Sequence, residues 1–128
     1  TEGWGLSTYK DNLVMSDGSE KLYFRDPITF NIKKIIEVYD NNGKVENINE
    51  LESIKGKIYC NIYGKDIILI IDPDTGLVES RINLNNLFKR ENYNDKVDVL
   101  NGIAYNKDNN SIIVTGKWWP SMYELKIN

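Results

Sequence analysis

Hydrophobic residues along this chain occur in short runs that are separated by turn-forming stretches. Apolar runs such as "KLYF" (21–24), "IILII" (67–71) and "SIIVT" (111–115) alternate with "SDGSE", "DNNGK" and "DPDTG". Short apolar runs bounded by Gly, Pro, Asn and Asp are typical of β-strands joined by tight turns. The pattern therefore predicts an all-β protein built from short antiparallel strands.

One segment departs from this pattern. In "LNNLFKREN" (84–92), Leu84, Leu87 and Phe88 recur at helical spacing. Apolar residues three and four positions apart lie on one face of an α-helix. We therefore expect one short helix near 84–92.

The strand pattern repeats along the chain. "LYFRDPITF" (22–30) superposes on "ILIIDPDTG" (68–76), and a third copy includes "SIIVTGKW" (111–118). A period of about 45–50 residues, with about four strands in each unit, is typical of β-propeller blades. The sequence predicts about two and a half blades of four-stranded antiparallel sheet in a single domain spanning 1–128. The expected repeats are roughly 4–50, 51–98 and 99–128.

This number of blades is too small for a closed ring. Propellers close with typically 4–8 blades, and an open arc leaves a face between blades uncovered. We therefore expect the chain to associate with further blades, from the same protein or from a second chain.

The amino-acid composition limits the kinds of site that this chain can form. The formal net charge is −3 with charges interspersed, which argues against nucleic-acid binding. No run approaches the ~20 apolar residues of a transmembrane helix, so no membrane span is predicted. There is one Cys and no His, which excludes an internal disulfide, Ser-His and Cys-His dyads and nearly all zinc-site designs. Any chemistry must use carboxylates, Lys, Asn, Tyr and backbone groups.

Several segments are more specific than generic blade sequence. They are "EGWGL" (2–6), "NELE.I.G.IY.NI" (49–62), "IDP.TG" (71–76), "DVLNGIAY" (98–105) and "TGKWWP" (115–120). In this order and spacing they resemble the plant and bacterial type of glutaminyl cyclase, the glutamine cyclotransferase family. The resemblance runs almost end to end through the chain and covers the C-terminal half of a full-length member.

The resemblance implies a five-bladed propeller when complete. It also implies an enzyme that converts the N-terminal Gln of a peptide or protein to pyroglutamate and releases ammonia, without metal or cofactor. The expected partners are that substrate and the missing N-terminal half of the propeller. The family works mostly outside the cytosol, which implies a secreted, secretory-pathway or periplasmic protein.

The reaction itself sets requirements for the site. The α-amine of the substrate attacks its own side-chain amide, so the enzyme must hold the Gln folded back on itself. The amide oxygen gains negative charge and needs a donor or cation beside it. A carboxyl group must carry a proton from the amine to the departing ammonia.

The resemblance assigns two residues to catalysis. Lys117, on the family's lysine in "TGK.WP", is expected to stabilise the developing oxyanion, and Asn49 matches an active-site asparagine. From the residues alone, a solvated lysine at a strand end and an asparagine capping a turn remain open. Glu50 is given a structural role, since alternation sends it to the face opposite Asn49.

Four further residues are expected to bind substrate. Trp4 occupies the family's pocket tryptophan in "GWGL", and Tyr63 stands where the family commonly has tryptophan, which leaves the pocket's shape in doubt. Asp98 and Asn101, in "DVLNG", are expected to hold Lys117 or substrate. Blade packing for Trp4 and turn stabilisation for Asp98 and Asn101 remain alternatives.

Two more expectations concern the rest of the site. Trp118 and Trp119 are expected to pack and turn the chain rather than line the pocket. The family's proton-carrying glutamate belongs to a motif upstream of Thr1, and nothing gives Glu2 that role. We therefore expect the fragment alone to be inactive.

Two other functions compete with this interpretation. A noncatalytic propeller that binds peptides or proteins predicts that Trp4, Asn49 and Lys117 do not share one cavity. A metal-dependent lactonase-like propeller would require an acidic cluster, and the sequence has none of the right density.

Overall fold

A computed structural model describes residues 2–88 and 98–127. Its described residues form thirteen β-strands, and the described chain contains no helix long and apolar enough to cross a membrane. The strands are β1 (Gly5–Tyr9), β2 (Asn12–Ser16), β3 (Lys21–Arg25), β4 (Ile32–Glu37), β5 (Tyr39–Asp40), β6 (Gly43–Lys44), β7 (Ile48–Ile54), β8 (Lys57–Ile62), β9 (Ile67–Ile71), β10 (Val78–Asn83), β11 (Leu100–Asn106), β12 (Ser111–Gly116) and β13 (Tyr123–Lys126).

Consecutive strands pair as antiparallel meanders. The first sheet has the order β1-β2-β3-β4, the second β7-β8-β9-β10 and the third β11-β12-β13, while β5 and β6 form a small hairpin between the first two sheets. This confirms the predicted all-β architecture of about two and a half antiparallel blades. The second sheet begins at Ile48, so the expected repeat boundary near residue 50 falls inside β7.

Two hydrophobic cores join the three sheets. Val14 and Leu22 of the first sheet pack with Ile58 and Leu69 of the second, and all four are almost fully buried. A second cluster joins the second sheet to the third, with Ile112 fully buried in it. Burying apolar side chains between sheets is the main stabilising contribution of such stacks.

The first strand of each sheet lies against the first strand of the next. β7 packs on β1 on one side and on β11 on the other. Glu52 of β7 spans both contacts: its Oε2 accepts the Tyr105 N–H at 3.0 Å, and its Oε1 lies 3.5 Å from Ser7 Oγ. Glu52 thereby links β7 to both neighbouring first strands.

The helix predicted at 84–92 is absent from its described part. Residues 84–88 form a turn in which the Leu87 N–H reaches the Leu84 carbonyl, and 89–92 lie outside the described residues. The Asn83 side chain accepts the Asn85 N–H at 2.9 Å. Asn side chains that bond the nearby backbone compete with helix formation. The helical spacing arises because this turn buries both Leu84 and Phe88.

Candidate active site

One cleft collects most of the residues that the sequence singled out. It has a volume of about 510 Å³ and draws on all three sheets. Five of the six predicted site residues line it, and Asp98 does not. The lining residues are Glu2, Gly3, Trp4, Asn49, Tyr63, Asn101 and Lys117.

Strand direction explains why these residues meet. Trp4 precedes β1, while Asn49 and Asn101 lie near the starts of β7 and β11. Tyr63 and Lys117 directly follow the ends of β8 and β12, which run antiparallel to β7 and β11. The start of one antiparallel strand lies beside the end of its neighbour, so all five positions come to the same end of the inner strands.

Trp4 and Tyr63 form an aromatic wall of the cleft. Their rings meet edge to face with centroids 5.8 Å apart, a favourable arrangement for aromatic pairs. The Trp4 indole donates to Glu2 Oε1 at 2.7 Å. The ring also lies against Gly18, where a Cβ would come within 2.6 Å of it, so no larger residue fits at that turn.

Lys117 brings a positive charge to this wall. Its Nζ lies 5.5 Å from the centroid of the Tyr63 ring, within the range of a cation–π contact. Two backbone hydrogen bonds, to Asp98 and Val99, fix its main chain. Within the described ranges no carboxylate pairs with Lys117, so its charge is available to a ligand.

Asn49 lies on a β-bulge at the start of β7. Ile48 pairs with Ile62 and Leu51 with Cys60, so two residues of β7 oppose one of β8. Bulges re-aim side chains and recur beside active sites. Asn49 is only 6% exposed, yet its side-chain amide makes no hydrogen bond to another described residue. An unpaired, nearly buried amide that borders the cleft is available to a ligand.

Contacts from the first sheet hold the bulge of Asn49 and Glu50 in place. The Ser16 hydroxyl, fully buried, donates to the Asn49 carbonyl at 2.6 Å. β1 approaches so closely that a Cβ on Gly5 would overlap the same carbonyl oxygen. The other bulge residue, Glu50, accepts the Leu51 N–H and borders an adjoining cleft that Leu6 and Phe30 also line. Asn49 and Glu50 therefore serve different surfaces.

Asn101 lies on a matching bulge at the start of β11. Leu100 pairs with Gly116 and Ile103 with Val114, so Asn101 and Gly102 oppose a single residue. Gly102 has φ +135°, which L-residues rarely adopt. Its N–H is accepted by Asn61 Oδ1 of the second sheet at 2.9 Å. Asn101 thereby lines the same cleft as Lys117.

Asp98 does not line the cleft, and its expected contact with Lys117 or substrate through the carboxylate stays a prediction. Its backbone N–H bonds the Lys117 carbonyl, and its Oδ1 accepts the Val99 N–H at 2.8 Å. The carboxylate therefore caps the strand start instead of lining the cleft. The main-chain carbonyl of Asp98 accepts the Trp119 indole N–H at 2.8 Å. Asp98 supports the strand that carries Lys117 by holding its main chain.

Neither of the two adjacent tryptophans lines the cleft. Trp119 stacks on Phe88 with centroids 4.2 Å apart. Trp118 is 75% exposed, with a φ of +63° that turns the chain.

Glu2 borders the cleft, whereas Cys60 lies in the hydrophobic core. No motif assigned a role to Glu2, and its position two residues before Trp4 was the available signal. Burial raises the pKa of the Cys60 thiol to about 12, so it stays protonated and is no nucleophile at neutral pH. In the described ranges no three acidic, Cys or His residues come together as metal ligands.

Comparison with known proteins identifies the family. The family model described as glutamine cyclotransferase matches residues 1–127. The chain belongs to the glutamine cyclotransferase family. This confirms the resemblance inferred from the motifs.

Two relatives of this family align along nearly the whole chain. The glutaminyl-peptide cyclotransferase of Arabidopsis thaliana is 37% identical, over 98% of this chain and 40% of the relative. The crystal structure of the Myxococcus xanthus glutaminyl cyclase is 39% identical with a TM-score of 0.90, over 98% of this chain and 55% of that one. The chain thus spans about half the length of these relatives.

A more distant structure bears on the fold alone. The WD40 β-propeller domain of Doa1 matches 94% of this chain with a TM-score of 0.57 at 13% identity. The three sheets are therefore blades of a β-propeller.

Proposed function

We propose that this chain supplies part of the active site of a glutaminyl-peptide cyclotransferase. The enzyme would cyclise the N-terminal Gln of peptides and proteins to pyroglutamate and release ammonia. One observation carries the proposal: Trp4, Asn49 and Lys117, which lie in or next to three different sheets, line one cleft. The two family relatives, a glutaminyl-peptide cyclotransferase and a glutaminyl cyclase, support the same reaction.

The aromatic wall would bind the substrate in its reactive shape. Trp4 and Tyr63 present two faces at an interplanar angle of 62°. A corner of this kind holds the aliphatic part of a Gln side chain folded back toward its own amine. Holding amine and amide carbon in contact removes much of the entropic cost of ring closure.

Lys117 would stabilise the charge that develops on the amide oxygen. When the amine attacks, the carbonyl π pair moves to that oxygen, and an adjacent ammonium lowers the energy of the resulting anion. Asn49 would hydrogen-bond the substrate's amide or amine through its unpaired side chain. These roles use only side chains of the protein, so we propose a metal-independent reaction.

A proton carrier completes the reaction. Glu2 is the one carboxylate among the described lining residues, and it already accepts the Trp4 indole N–H at 2.7 Å. We propose that the carboxyl that moves the proton from amine to leaving ammonia comes from blades outside this chain. Those blades, from the same protein or a second chain, are then the structural partner, and the fragment alone is inactive.

The proposed cellular location is a secreted, secretory-pathway or periplasmic compartment, in keeping with the family resemblance. Fractionation of cells that express the whole protein tests this directly. Recovery of all activity in the cytosol would contradict it.

The decisive experiment measures ammonia release from a peptide with N-terminal Gln. The whole protein is assayed with Lys117→Ala and Asn49→Ala, and Lys107→Ala serves as matched control because it lies exposed at the opposite end of β11. We expect kcat/KM to fall roughly 100-fold or more for Lys117→Ala, with Lys107→Ala unchanged. Full activity in both site variants would instead favour a noncatalytic peptide-binding propeller.

A further inference from the structure

The two ends of the Asn101 amide have different surroundings. Oδ1 is buried and has no hydrogen-bond donor, whereas Nδ2 is not buried and makes no bond to the described chain. Since Asn101 borders the cleft, its amide presents N–H groups to a ligand and turns its oxygen inward.

Asn61 contacts the bulge that carries Asn101. It is fully buried on β8, and its Oδ1 accepts the N–H of Gly102, the residue after Asn101. Its Nδ2 is buried without an acceptor. Asn61 Nδ2 and Asn101 Oδ1 are therefore both buried without a partner, on residues that are linked through the Gly102 N–H. By holding the bulge at Gly102, Asn61 helps to set the direction in which the Asn101 side chain points.

The donor end of Asn101 shares its side of the cleft with Lys117. β11 and β12 are paired, and the Lys117 main chain bonds Val99, two residues before Asn101. The carboxylate of Glu2 comes from the segment before β1 and is held by Trp4. Positive charge and N–H donors thus gather on the third sheet, where negative charge on a ligand is best stabilised.

We propose that Asn101 Nδ2 donates a hydrogen bond to the carboxamide oxygen of the substrate Gln, beside Lys117, and that Asn61 is a positioning residue that keeps this end outward. The proposal rests on the proposed function. The α-amine forms a bond to the carboxamide carbon, and the C=O π pair moves to oxygen, where both donors stabilise it. Return of that pair breaks the C–N bond, and the nitrogen leaves as ammonia with the proton lost by the amine.

Three variants test the donor role in the whole protein. Asn101→Leu removes the amide, and Asn101→Asp keeps an inward acceptor but loses the donor. We expect kcat to fall roughly 10-fold to 100-fold in both, with KM changed less than about threefold. Asn106→Leu, at the other end of β11, is the matched control and keeps wild-type kcat.

Other outcomes overturn the donor role. Wild-type kcat in Asn101→Asp would make Asn101 an acceptor or a structural residue. A rise in KM with unchanged kcat in Asn101→Leu would place its bond on an uncharged group, such as the peptide carbonyl. Wild-type protein that releases no ammonia would overturn the proposed function and this inference together. An active wild type with an unaffected Asn101→Leu overturns the inference alone.

A double-mutant cycle tests the role of Asn61. Asn61→Asp keeps the acceptor for Gly102 but lacks the amide donor, and Asn61→Ser replaces it if the buried carboxyl prevents folding. We expect a several-fold fall in kcat alone and no further fall in the Asn101→Leu background, because the two residues act as one unit. An equal fall in both backgrounds would give Asn61 a role independent of Asn101.

Discussion

The bulges that carry Asn49 and Asn101 share one geometry but are held in different ways. At β7 the neighbouring sheet donates a hydrogen bond, from Ser16 to the Asn49 carbonyl. At β11 the neighbouring sheet accepts one, from Gly102 to Asn61. Both anchoring side chains are fully buried polar residues of the preceding sheet. Each site asparagine is therefore positioned by the blade before its own.

The difference lies in how much conformational freedom each bulge permits. The second residue of the β7 bulge is Glu50, which has no positive φ, whereas Gly102 has φ +135°. The β7 bulge instead depends on Gly5 of the adjacent strand, whose missing side chain lets the carbonyl of Asn49 approach. The β11 bulge needs a glycine within it, because its backbone has a positive φ. The β7 bulge needs a glycine in the adjacent strand β1, because the two backbones approach closely.

Gly5→Ala is expected to have the largest effect on this comparison. Its Cβ would overlap backbone atoms of β7 rather than a flexible side chain. We expect the free energy of unfolding of the whole protein to fall by about 3 kcal/mol, measured by urea titration. Gly56→Ala is the control, since that turn glycine has φ +79° but no atom near its Cβ position. Equal losses in both variants would mean that the close approach of β1 is unimportant.

Gly102→Ala comes next. An alanine at this φ is strained, and its Cβ would lie 3.0 Å from Thr115 Cγ2. We expect a loss of about 2 kcal/mol together with a fall in kcat, because Asn101 shifts with the bulge. Glu50→Ala, at the matching position of β7, should stay within about 0.5 kcal/mol. A larger loss at Glu50 would reverse the contrast between the two bulges.

Ser16→Ala has a smaller expected effect. It removes the buried hydrogen bond to the Asn49 carbonyl, which we expect to cost about 1–2 kcal/mol. Chemical shifts of the two side-chain amides, followed by NMR, should change for Asn49 and not for Asn101. A shift confined to Asn101 would contradict the assignment of one anchor to each bulge.

The smallest expected effect concerns the Cys60 thiol. It pairs with Leu51 just after the β7 bulge and is fully buried. We expect no reaction with thiol reagents at pH 8 until the protein unfolds. Burial raises the pKa of Cys60 from 9.0 to about 12, so the unfolded chain releases this proton first, and stability declines as pH rises from 9 toward 12. Cys60→Val should lack that part of the decline in urea titrations across this range.

The sheets and much of the site could be predicted from the sequence alone. Turn residues between apolar runs predicted the antiparallel strands. The motifs around Asn49 and Lys117 identified residues that the structure brings into one cleft. Alternation separated Asn49 from Glu50, which line different clefts. These features were accessible because local pattern and strand direction determine them.

Features set by contacts between sheets were not accessible. The carboxylate of Asp98 caps its own strand, and no residue spacing distinguishes a capping carboxylate from a ligand-binding one. The predicted helix was wrong over 84–88, because a turn can bury Leu84 and Phe88 as a helix would. The anchors Ser16 and Asn61 lie far along the chain from the bulges that they hold, so sequence pattern could not connect them.

The hydrogen bond that Glu52 accepts provides a way to measure how often the second and third blades separate. The Tyr105 N–H that Glu52 accepts points away from the hydrogen-bonded ladder of β11 and β12 and across to β7. Deuterium can reach this amide when the second and third sheets part, even while each sheet stays intact. Its exchange rate thus reports how often the third sheet moves away from the second without any blade unfolding. This movement takes Asn101 and Lys117 out of the cleft.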